Sequence, residues 1–95
     1  AGAAAGAAPG GERRREDADQ AQELFARGFR YNTGDGVEQD YEEAARCYRQ
    51  AAEMGHEVAQ FNLGVFYGEG NGVPQDFAEA ARLYQLSAEQ GYANV

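Results

Sequence analysis

Lysine is absent from this sequence, and cysteine, histidine, serine and threonine occur once each, as Cys47, His56, Ser87 and Thr33. A catalytic nucleophile needs a base beside it, and a structural zinc ion needs several histidine or cysteine ligands. These single residues offer neither arrangement. We therefore expect no catalytic residue, no metal site, no cofactor and no enzymatic activity.

The cysteine content also bears on the compartment. Cys47 has no partner for an internal disulfide, which favours a reducing compartment such as the cytoplasm. Cys47 falls on the helical periodicity of its repeat, which predicts a buried packing role rather than a nucleophile. No signal peptide is visible, and because the chain begins at Ala1 rather than at Met, the question of an upstream leader stays open.

Positive charge is scarce as well. The chain has eight arginines and 16 acidic residues, which gives a net charge of −8 and a pI near 4.5. Such a chain repels phosphate backbones and anionic membrane surfaces, so we expect no nucleic-acid partner. Long apolar runs are also missing, so we expect no membrane insertion. The remaining partner class is a protein or a peptide.

The first residues have a biased composition. Residues 1–11 have the sequence AGAAAGAAPGG, which cannot bury enough apolar surface to offset the entropy of ordering. The run ERRRED at 12–17 contains an arginine cluster, but acids flank it on both sides and such runs are usually solvated. We predict a disordered tail over residues 1–18.

The rest of the chain repeats itself. Phe25 aligns with Phe61, 36 residues later, and the match continues without a gap to Gly55 and Gly91. Within it, matched pairs include Gly28 and Gly64, Tyr31 and Tyr67, Gly34 and Gly70, Gly36 and Gly72, and Asp40 and Asp76. A match this dense predicts two tandem units, residues 19–58 and 59–95.

Each unit has the pattern of two helices. Apolar periodicity predicts first helices over 20–32 and 57–68, and composition predicts second helices over 41–54 and 77–90. Asp40 and Asp76 each precede a glutamate by three residues, which predicts a capping box. Gly55 and Gly91 suit the left-handed position that follows a helix.

The sequences GDGVEQD and GNGVPQD, at 34–40 and 70–76, connect the two helices of each unit. Their first glycines, Gly34 and Gly70, are placed to end the first helix, and the second glycines, Gly36 and Gly72, to allow the chain to reverse. A calcium loop would need more acids before its glycine, and a phosphate loop would need a lysine. We interpret both segments as turns.

Two glycines fall inside predicted helices. Gly28 and Gly64 each cost about 1 kcal/mol relative to alanine in a helix. That cost is explained if the second helix of each unit crosses the first helix closely at this glycine. The alanine pairs at 44–45 and 80–81 would then face it. Tyr31 and Tyr67 are then expected to fill the space around the crossing as core residues.

The second unit, AQFNLGVFYGEGNGVPQDFAEAARLYQLSAEQGYANV over 59–95, resembles a Sel-1-like repeat. Typical family features appear as Ala59, Leu63-Gly64, Tyr67, Gly70-x-Gly72-Val73, Asp76, Ala80-Ala81, Tyr84, Ala88 and Gly91. The resemblance covers about residues 20–95. It implies an all-α protein, a short right-handed α/α superhelix of two helix-turn-helix units, used as a scaffold for protein interaction. Cysteine-rich relatives with penicillin-binding activity carry regularly spaced cysteine pairs, which this chain lacks.

The two units differ on one stripe of the first helix. Ala59, Leu63 and Phe66 are spaced as one helical face, and their counterparts are Glu23, Arg27 and Arg30. Because the first unit has no preceding unit to pack on, a charged face suits an N-terminal cap. The alternative is that Arg27 and Arg30 form a basic pair that binds a ligand.

The last helix is more apolar than its copy. Leu83 and Leu86 stand where the first unit has Cys47 and Gln50. We expect these two leucines to form an exposed stacking face at the C-terminal end, and exposed apolar stripes mark interfaces. Self-association through this face is one possibility that follows.

Two functional hypotheses result. In the first, the chain is a non-catalytic scaffold that binds a peptide or partner protein in a groove formed by the first helices. By analogy with tetratricopeptide grooves, the candidate groove residues are Phe25, Phe29, Asn32, Phe61, Asn62 and Val65. An acidic array favours a basic or neutral ligand. In the alternative, the chain is a structural capping fragment of a longer solenoid whose functional part lies elsewhere.

Overall fold

The structure is a computed structural model, and it describes residues 10–92. This part of the chain forms four α-helices and contains no strand. The helices are α1 (Gly10–Thr33), α2 (Tyr41–Glu53), α3 (Glu57–Glu69) and α4 (Phe77–Glu89). Helices α1 and α2 form one hairpin, α3 and α4 form the second, and α3 packs on α2 to join them. The all-α fold of two tandem helical hairpins is as predicted.

Helix α1 begins ten residues before its predicted start at Gln20. The tail predicted over residues 1–18 overlaps this helix at residues 10–18, and its part over 1–9 lies outside the described residues. After its first two glycines this segment consists of Glu, Arg, Asp and Ala. Most of these residues have good helix propensity, and extending an existing helix costs far less than nucleating a new one.

Helices α2 and α4 begin at the predicted aspartates. The side chains of Asp40 and Asp76 accept hydrogen bonds from the backbone N–H groups of Glu43 and Glu79, at 3.1 and 3.0 Å. The reciprocal half of the predicted capping box does not form. The N–H of each aspartate instead donates to a carbonyl of the preceding helix, and Glu43 and Glu79 pair with arginines one turn later.

The glycines of the connecting turns have the predicted left-handed backbone. Gly34 and Gly70 lie at the ends of α1 and α3 with φ of 77° and 73°, and Gly36 and Gly72 have φ of 79° and 70°. Gly72 has a second constraint, because a Cβ added there would lie 2.4 Å from the Tyr41 carbonyl oxygen. The turn of the second repeat therefore touches the backbone of the first.

Each hairpin crosses at its helical glycine, as predicted. A Cβ on Gly28 would lie 2.8 Å from the ring of Tyr48, and a Cβ on Gly64 would lie 2.9 Å from the ring of Tyr84. The tyrosine ring of the opposite helix, rather than the predicted alanine pair, is thus the closest partner. Tyr48 is fully buried, and Tyr31 and Tyr67 pack against the same core.

The two hairpins meet through the apolar stripe of α3. Ala59, Leu63 and Phe66 are all buried in the common core with residues of α2. The Phe66 ring packs edge-on against Tyr41 and Tyr48, with 5.7 and 5.4 Å between ring centroids. Burial of this stripe gives the two repeats a shared apolar core.

The charged counterpart of that stripe lies on α1. Glu23, Arg27 and Arg30 are all exposed. No helix covers this face within residues 10–92, and the N-terminal cap stays a prediction. Whether Arg27 and Arg30 bind a ligand remains a hypothesis.

The prediction of an exposed C-terminal face is wrong for Leu83. Its side chain is 2% exposed and belongs to the core, and Leu86 is half-buried against the same core. The reason is helical phase: Leu83 lies on the side of α4 that faces α3, together with Ala80 and Ser87. The exposed large apolar side chain of α4 is Phe77, at 70%.

Candidate interaction surface

The hydroxyl of Tyr48 lies next to two of the predicted groove residues. The Asn32 side chain on α1 donates a hydrogen bond to this hydroxyl, with 3.4 Å between Nδ2 and the oxygen. Asn62 on α3 lies beside the same hydroxyl, and both amides partly oppose the burial that raises the pKa of Tyr48. The structure therefore brings together two of the predicted residues, one from each first helix.

An aromatic row extends from Tyr48 along the first repeat. The Phe25 ring stacks on Tyr48, with 5.5 Å between centroids, and on Phe29, with 6.3 Å. Phe25 is half-buried, whereas Phe29 is 47% exposed. Phe29 is thus the accessible end of a row that is anchored in the core.

The predicted residues of the second repeat lie in an equivalent setting. Phe61 packs against Tyr84 and Tyr92, with centroid distances of 5.3 and 5.6 Å. Val65 occupies the position that Phe29 has in the first repeat, and it is half-buried. Phe61 therefore belongs to its own aromatic cluster and supports the hairpin, while Val65 offers a smaller apolar surface.

His56 has a role that the sequence analysis missed. Its Nδ1 accepts a hydrogen bond from the Ala59 N–H at 3.1 Å, which caps α3, and its Nε2 lies 2.9 Å from Oε1 of Gln22. The ring also stacks on Phe25, with 4.8 Å between centroids. Burial lowers the pKa of His56, and the neighbouring Glu57 carboxylate partly opposes this. Histidine is not a typical N-cap residue, so this role is hard to predict from the sequence.

Arg49 makes a second contact between the repeats that the sequence analysis missed. Its guanidinium donates a hydrogen bond to the Tyr67 hydroxyl and lies 5.5 Å from the centroid of the Tyr67 ring. The corresponding residue of the second repeat is Gln85, so this cationic contact occurs once in the repeats. The comparison of Arg49 with Gln85 could have indicated that the surfaces of α2 and α4 differ at this position.

Cys47 is buried between the helices, as predicted. Burial raises the pKa of its thiol, and the Glu43 carboxylate adds to the rise. A raised pKa keeps the thiol protonated at neutral pH and lowers its reactivity. This environment suits packing.

Three hollows of about 280, 260 and 320 Å³ lie at the junctions between helices. None of them is lined by a predicted groove residue. Within the described residues no group of three or more His, Cys, Asp or Glu side chains is placed to hold a metal ion. No described helix is long and apolar enough to cross a bilayer.

Two helical hairpins with matching aspartate caps and glycine turns, and a buried stripe between them, define a tandem helical repeat. The family model described as the Sel1 repeat matches residues 24–56 and 58–92. This chain belongs to the Sel1 repeat family. Sel1 repeats form helical solenoids that commonly serve as protein-interaction modules and generally act as non-catalytic scaffolds.

Two solved structures illustrate the similarity. A protective antigen present in uropathogenic Escherichia coli strains, which displays an SLR fold, is 48% identical with a TM-score of 0.74, over 75% of this chain and 15% of that chain. A Sel1 repeat protein from Oxalobacter formigenes is 40% identical with a TM-score of 0.72, over 74% of this chain and 29% of that chain. This chain therefore spans less than a third of either protein. A search of curated proteins found no match.

Proposed function

We propose that this Sel1 repeat pair is a non-catalytic scaffold that binds a peptide or an extended segment of a partner protein along the surface of α1 and α3. The observation that carries the proposal is the exposure of Phe29 at the end of an aromatic row that continues through the half-buried Phe25 to the buried Tyr48. A large aromatic side chain held rigidly at a surface loses little entropy on binding, which is why such residues dominate interaction energies.

The polar part of the proposed surface is the amide pair around Tyr48. Asn32 and Asn62 present donors and acceptors next to the tyrosine hydroxyl. Side-chain amides at such positions in a groove are suited to hydrogen-bond the backbone of a bound peptide. Phe29 and Val65 flank them as apolar contacts, so the surface combines a polar centre with apolar ends.

The ligand class follows from charge. The chain carries a net charge of −8, and an acidic surface speeds association with basic ligands and disfavours acidic ones. We therefore propose a basic or neutral segment as the ligand.

The test is selection of peptides from a phage-displayed random library on the intact chain, followed by affinity measurement with two variants. Phe29→Ala should weaken a selected peptide by at least about tenfold, as expected for a central aromatic contact. Phe77→Ala removes another exposed phenylalanine, from α4, and should leave that affinity unchanged. Equal effects of both substitutions, or none of either, would count against the groove.

A second candidate function is a structural one, as a portion of a longer solenoid. It is favoured by the small share of the similar Sel1 structures that this chain spans, 15% and 29%. Under this proposal the isolated chain is marginally stable and tends to self-associate, because repeat stability comes largely from neighbouring units. A cooperative unfolding transition of a monomer would argue against it.

A further inference from the structure

The two repeats differ around the hydroxyl of the tyrosine that packs on the helical glycine. In the first repeat the side chain of Asn32 donates a hydrogen bond to the Tyr48 hydroxyl, with 3.4 Å between the two atoms. The residue aligned with Asn32 in the second repeat is Gly68, which has no side chain to place beside Tyr84. A Cβ added to Gly68 would lie 4.0 Å from the Tyr84 hydroxyl oxygen and 3.9 Å from the Cβ of Ala80. The space that the asparagine fills in the first repeat is therefore open in the second.

The next position changes the charge at the same place. Thr33 of the first repeat bonds to its own helix, because its hydroxyl donates to the Phe29 carbonyl at 2.9 Å. The aligned residue of the second repeat is Glu69, an exposed carboxylate at the end of α3. The side chain of Asn71 donates to Oε1 of Glu69 at 2.9 Å, which helps to hold the carboxylate in place. Burial raises the pKa of Tyr84, and the Glu69 charge adds to the rise, so the carboxylate acts on this hydroxyl.

The charge of Glu69 is not neutralised by an arginine among the side chains that the structure describes. The ion pairs there join Arg46 to Glu43 and Arg82 to Glu79. An unneutralised carboxylate next to a hydroxyl offers acceptors to a cationic donor. Hydrogen bonds between ionised partners are shorter and stronger than those between neutral ones. The ligand group that this arrangement suits is therefore a cation with N–H donors.

The space between Gly68, Glu69 and the Tyr84 hydroxyl, which we call the Gly68 notch, continues the proposed groove. Phe61 and Val65 precede Gly68 by seven and three residues, so the three positions share one face of α3. The ring of Phe61 also packs against the ring of Tyr84, with 5.3 Å between centroids. A long basic side chain can lay its apolar stem along Phe61 and Val65 while its charged end enters the notch. All of these residues belong to the hairpin of α3 and α4.

An arginine side chain meets these requirements. Its guanidinium carries several N–H donors in a rigid planar fork, so it can bond a carboxylate and a second acceptor at once. We propose that the Gly68 notch binds an arginine side chain of the partner segment, with the guanidinium between Glu69 and the Tyr84 hydroxyl and the stem on Phe61 and Val65. This proposal rests on the groove proposed above, and it names the ligand side chain that the second repeat recognises.

The probe for the notch is N-acetyl-arginine amide, titrated into the isotopically labelled intact chain and followed by NMR. The control is N-acetyl-citrulline amide, which has nearly the same shape but no charge. We expect the arginine amide to shift the signals of Gly68, Glu69 and Tyr84, and the citrulline amide to bind at least about fivefold more weakly. Equal binding of the two amides, or no shift at these three residues, would overturn the proposal.

Two glutamates provide matched variants of the protein. Glu69→Gln removes the charge of the notch and should weaken the arginine amide at least about fivefold. Glu53→Gln removes another exposed carboxylate, at the end of α2, and should change the affinity less than about twofold at physiological salt, where distant charges are screened. Equal effects of the two substitutions would reduce the binding to general attraction by an acidic chain and would overturn the proposal.

A third variant gives the second repeat the side chain that the first repeat has. Gly68→Asn places an amide beside the Tyr84 hydroxyl, and it too should weaken the arginine amide at least about fivefold. The added Cβ meets its neighbours at ordinary contact distances, and asparagine is tolerated in a helix at least as well as glycine. A loss of binding therefore reports that the notch is filled rather than that the helix is broken. Unchanged binding by this variant would contradict the proposed position of the guanidinium.

Failure of the notch and failure of the groove give different results. Phe29 lies on α1 in the first repeat, so Phe29→Ala should leave the affinity for the arginine amide unchanged. If library-selected peptides depend on Phe29 while the arginine amide does not bind, the groove stands and the notch is wrong. If Glu69→Gln abolishes binding of the arginine amide while selected peptides ignore Phe29→Ala, the notch stands and the groove is wrong.

Discussion

The ring of Phe66 packs edge-on against the ring of Tyr48, with 5.4 Å between centroids and 65° between ring planes. Phe66 belongs to the second repeat and Tyr48 to the first. The same Tyr48 stacks on Phe25 and accepts a hydrogen bond from Asn32 at the proposed groove. One buried side chain thus takes part in the stacking of the repeats and forms the floor of the proposed binding surface.

Replacing Phe66 should therefore destabilise the whole described chain. Phe66 is 4% exposed, and truncation of a buried phenylalanine typically costs about 3–5 kcal/mol. We expect Phe66→Ala to lower the free energy of unfolding in urea by about that amount. The two repeats of the variant should also no longer unfold together in one cooperative transition. Phe77→Ala is the control, since surface truncations usually change stability by less than about 0.5 kcal/mol. Similar losses in the two variants would contradict the packing described for Phe66.

The paired turn glycines allow backbone strain to be separated from packing between repeats. Gly36 and Gly72 both have left-handed φ, so alanine at either position should cost about 1–2 kcal/mol. A Cβ on Gly72 would also collide with the Tyr41 carbonyl, whereas a Cβ on Gly36 would meet nothing within 4 Å. Gly72→Ala should thus cost about 1–3 kcal/mol more than Gly36→Ala in denaturant unfolding. Equal costs would show that the turn does not press on the first repeat.

The helix caps test the corrected account of the capping box. Asp76→Ala removes the acceptor for the Glu79 N–H and should cost about 1 kcal/mol. Glu79→Ala removes a surface ion pair with Arg82, 2.6 Å long, and should cost about 0.5 kcal/mol or less. The same order is expected for Asp40 and Glu43, measured by thermal or urea unfolding. A larger loss for the glutamate than for the aspartate would restore the reciprocal capping box.

Acid should weaken the junction around His56. Its neutral ring accepts the Ala59 N–H, and burial lowers its pKa below the unfolded value of about 6.5. The unfolded chain then binds a proton more readily than the folded chain. Stability from neutral His56 is fully present above about pH 6.5 and is lost as the pH falls through the folded pKa.

The measurement is the free energy of unfolding at pH 7.5 and at pH 5.5, in wild type and in His56→Asn. Asparagine keeps the capping acceptor but does not titrate. The wild type should lose more stability than the variant over this interval, because the titration of the carboxylates is common to both. Parallel losses would mean that His56 does not couple protonation to folding.

Much of the fold follows from the sequence because the repeat fixes its own register. Once Phe25 is aligned with Phe61, the caps and turn glycines fall at equal positions, and the predicted ends of α2, α3 and α4 differ from the observed ends by a residue. The start of α1 was missed because the segment before Gln20 has no counterpart in the second repeat and no capping signal.

The surfaces were predicted less well than the helices. Comparing hydrophobicity position by position identified Leu83 as unusual, but not the side of α4 on which it lies. The exposed Phe77 matches Tyr41, so the two sequences agree there and the comparison gave no signal. The burial of such equivalent positions depends on the neighbouring helix, and that is a tertiary property.

The most direct test of the scaffold account is NMR mapping of a library-selected peptide on the isotopically labelled intact chain. We predict the largest amide and side-chain shifts on α1 and α3, around Phe29, Asn32, Asn62 and Val65, with small shifts along the outer faces of α2 and α4. Large shifts confined to α2 and α4, with the surface of α1 and α3 unchanged, would contradict the assignment of the binding surface.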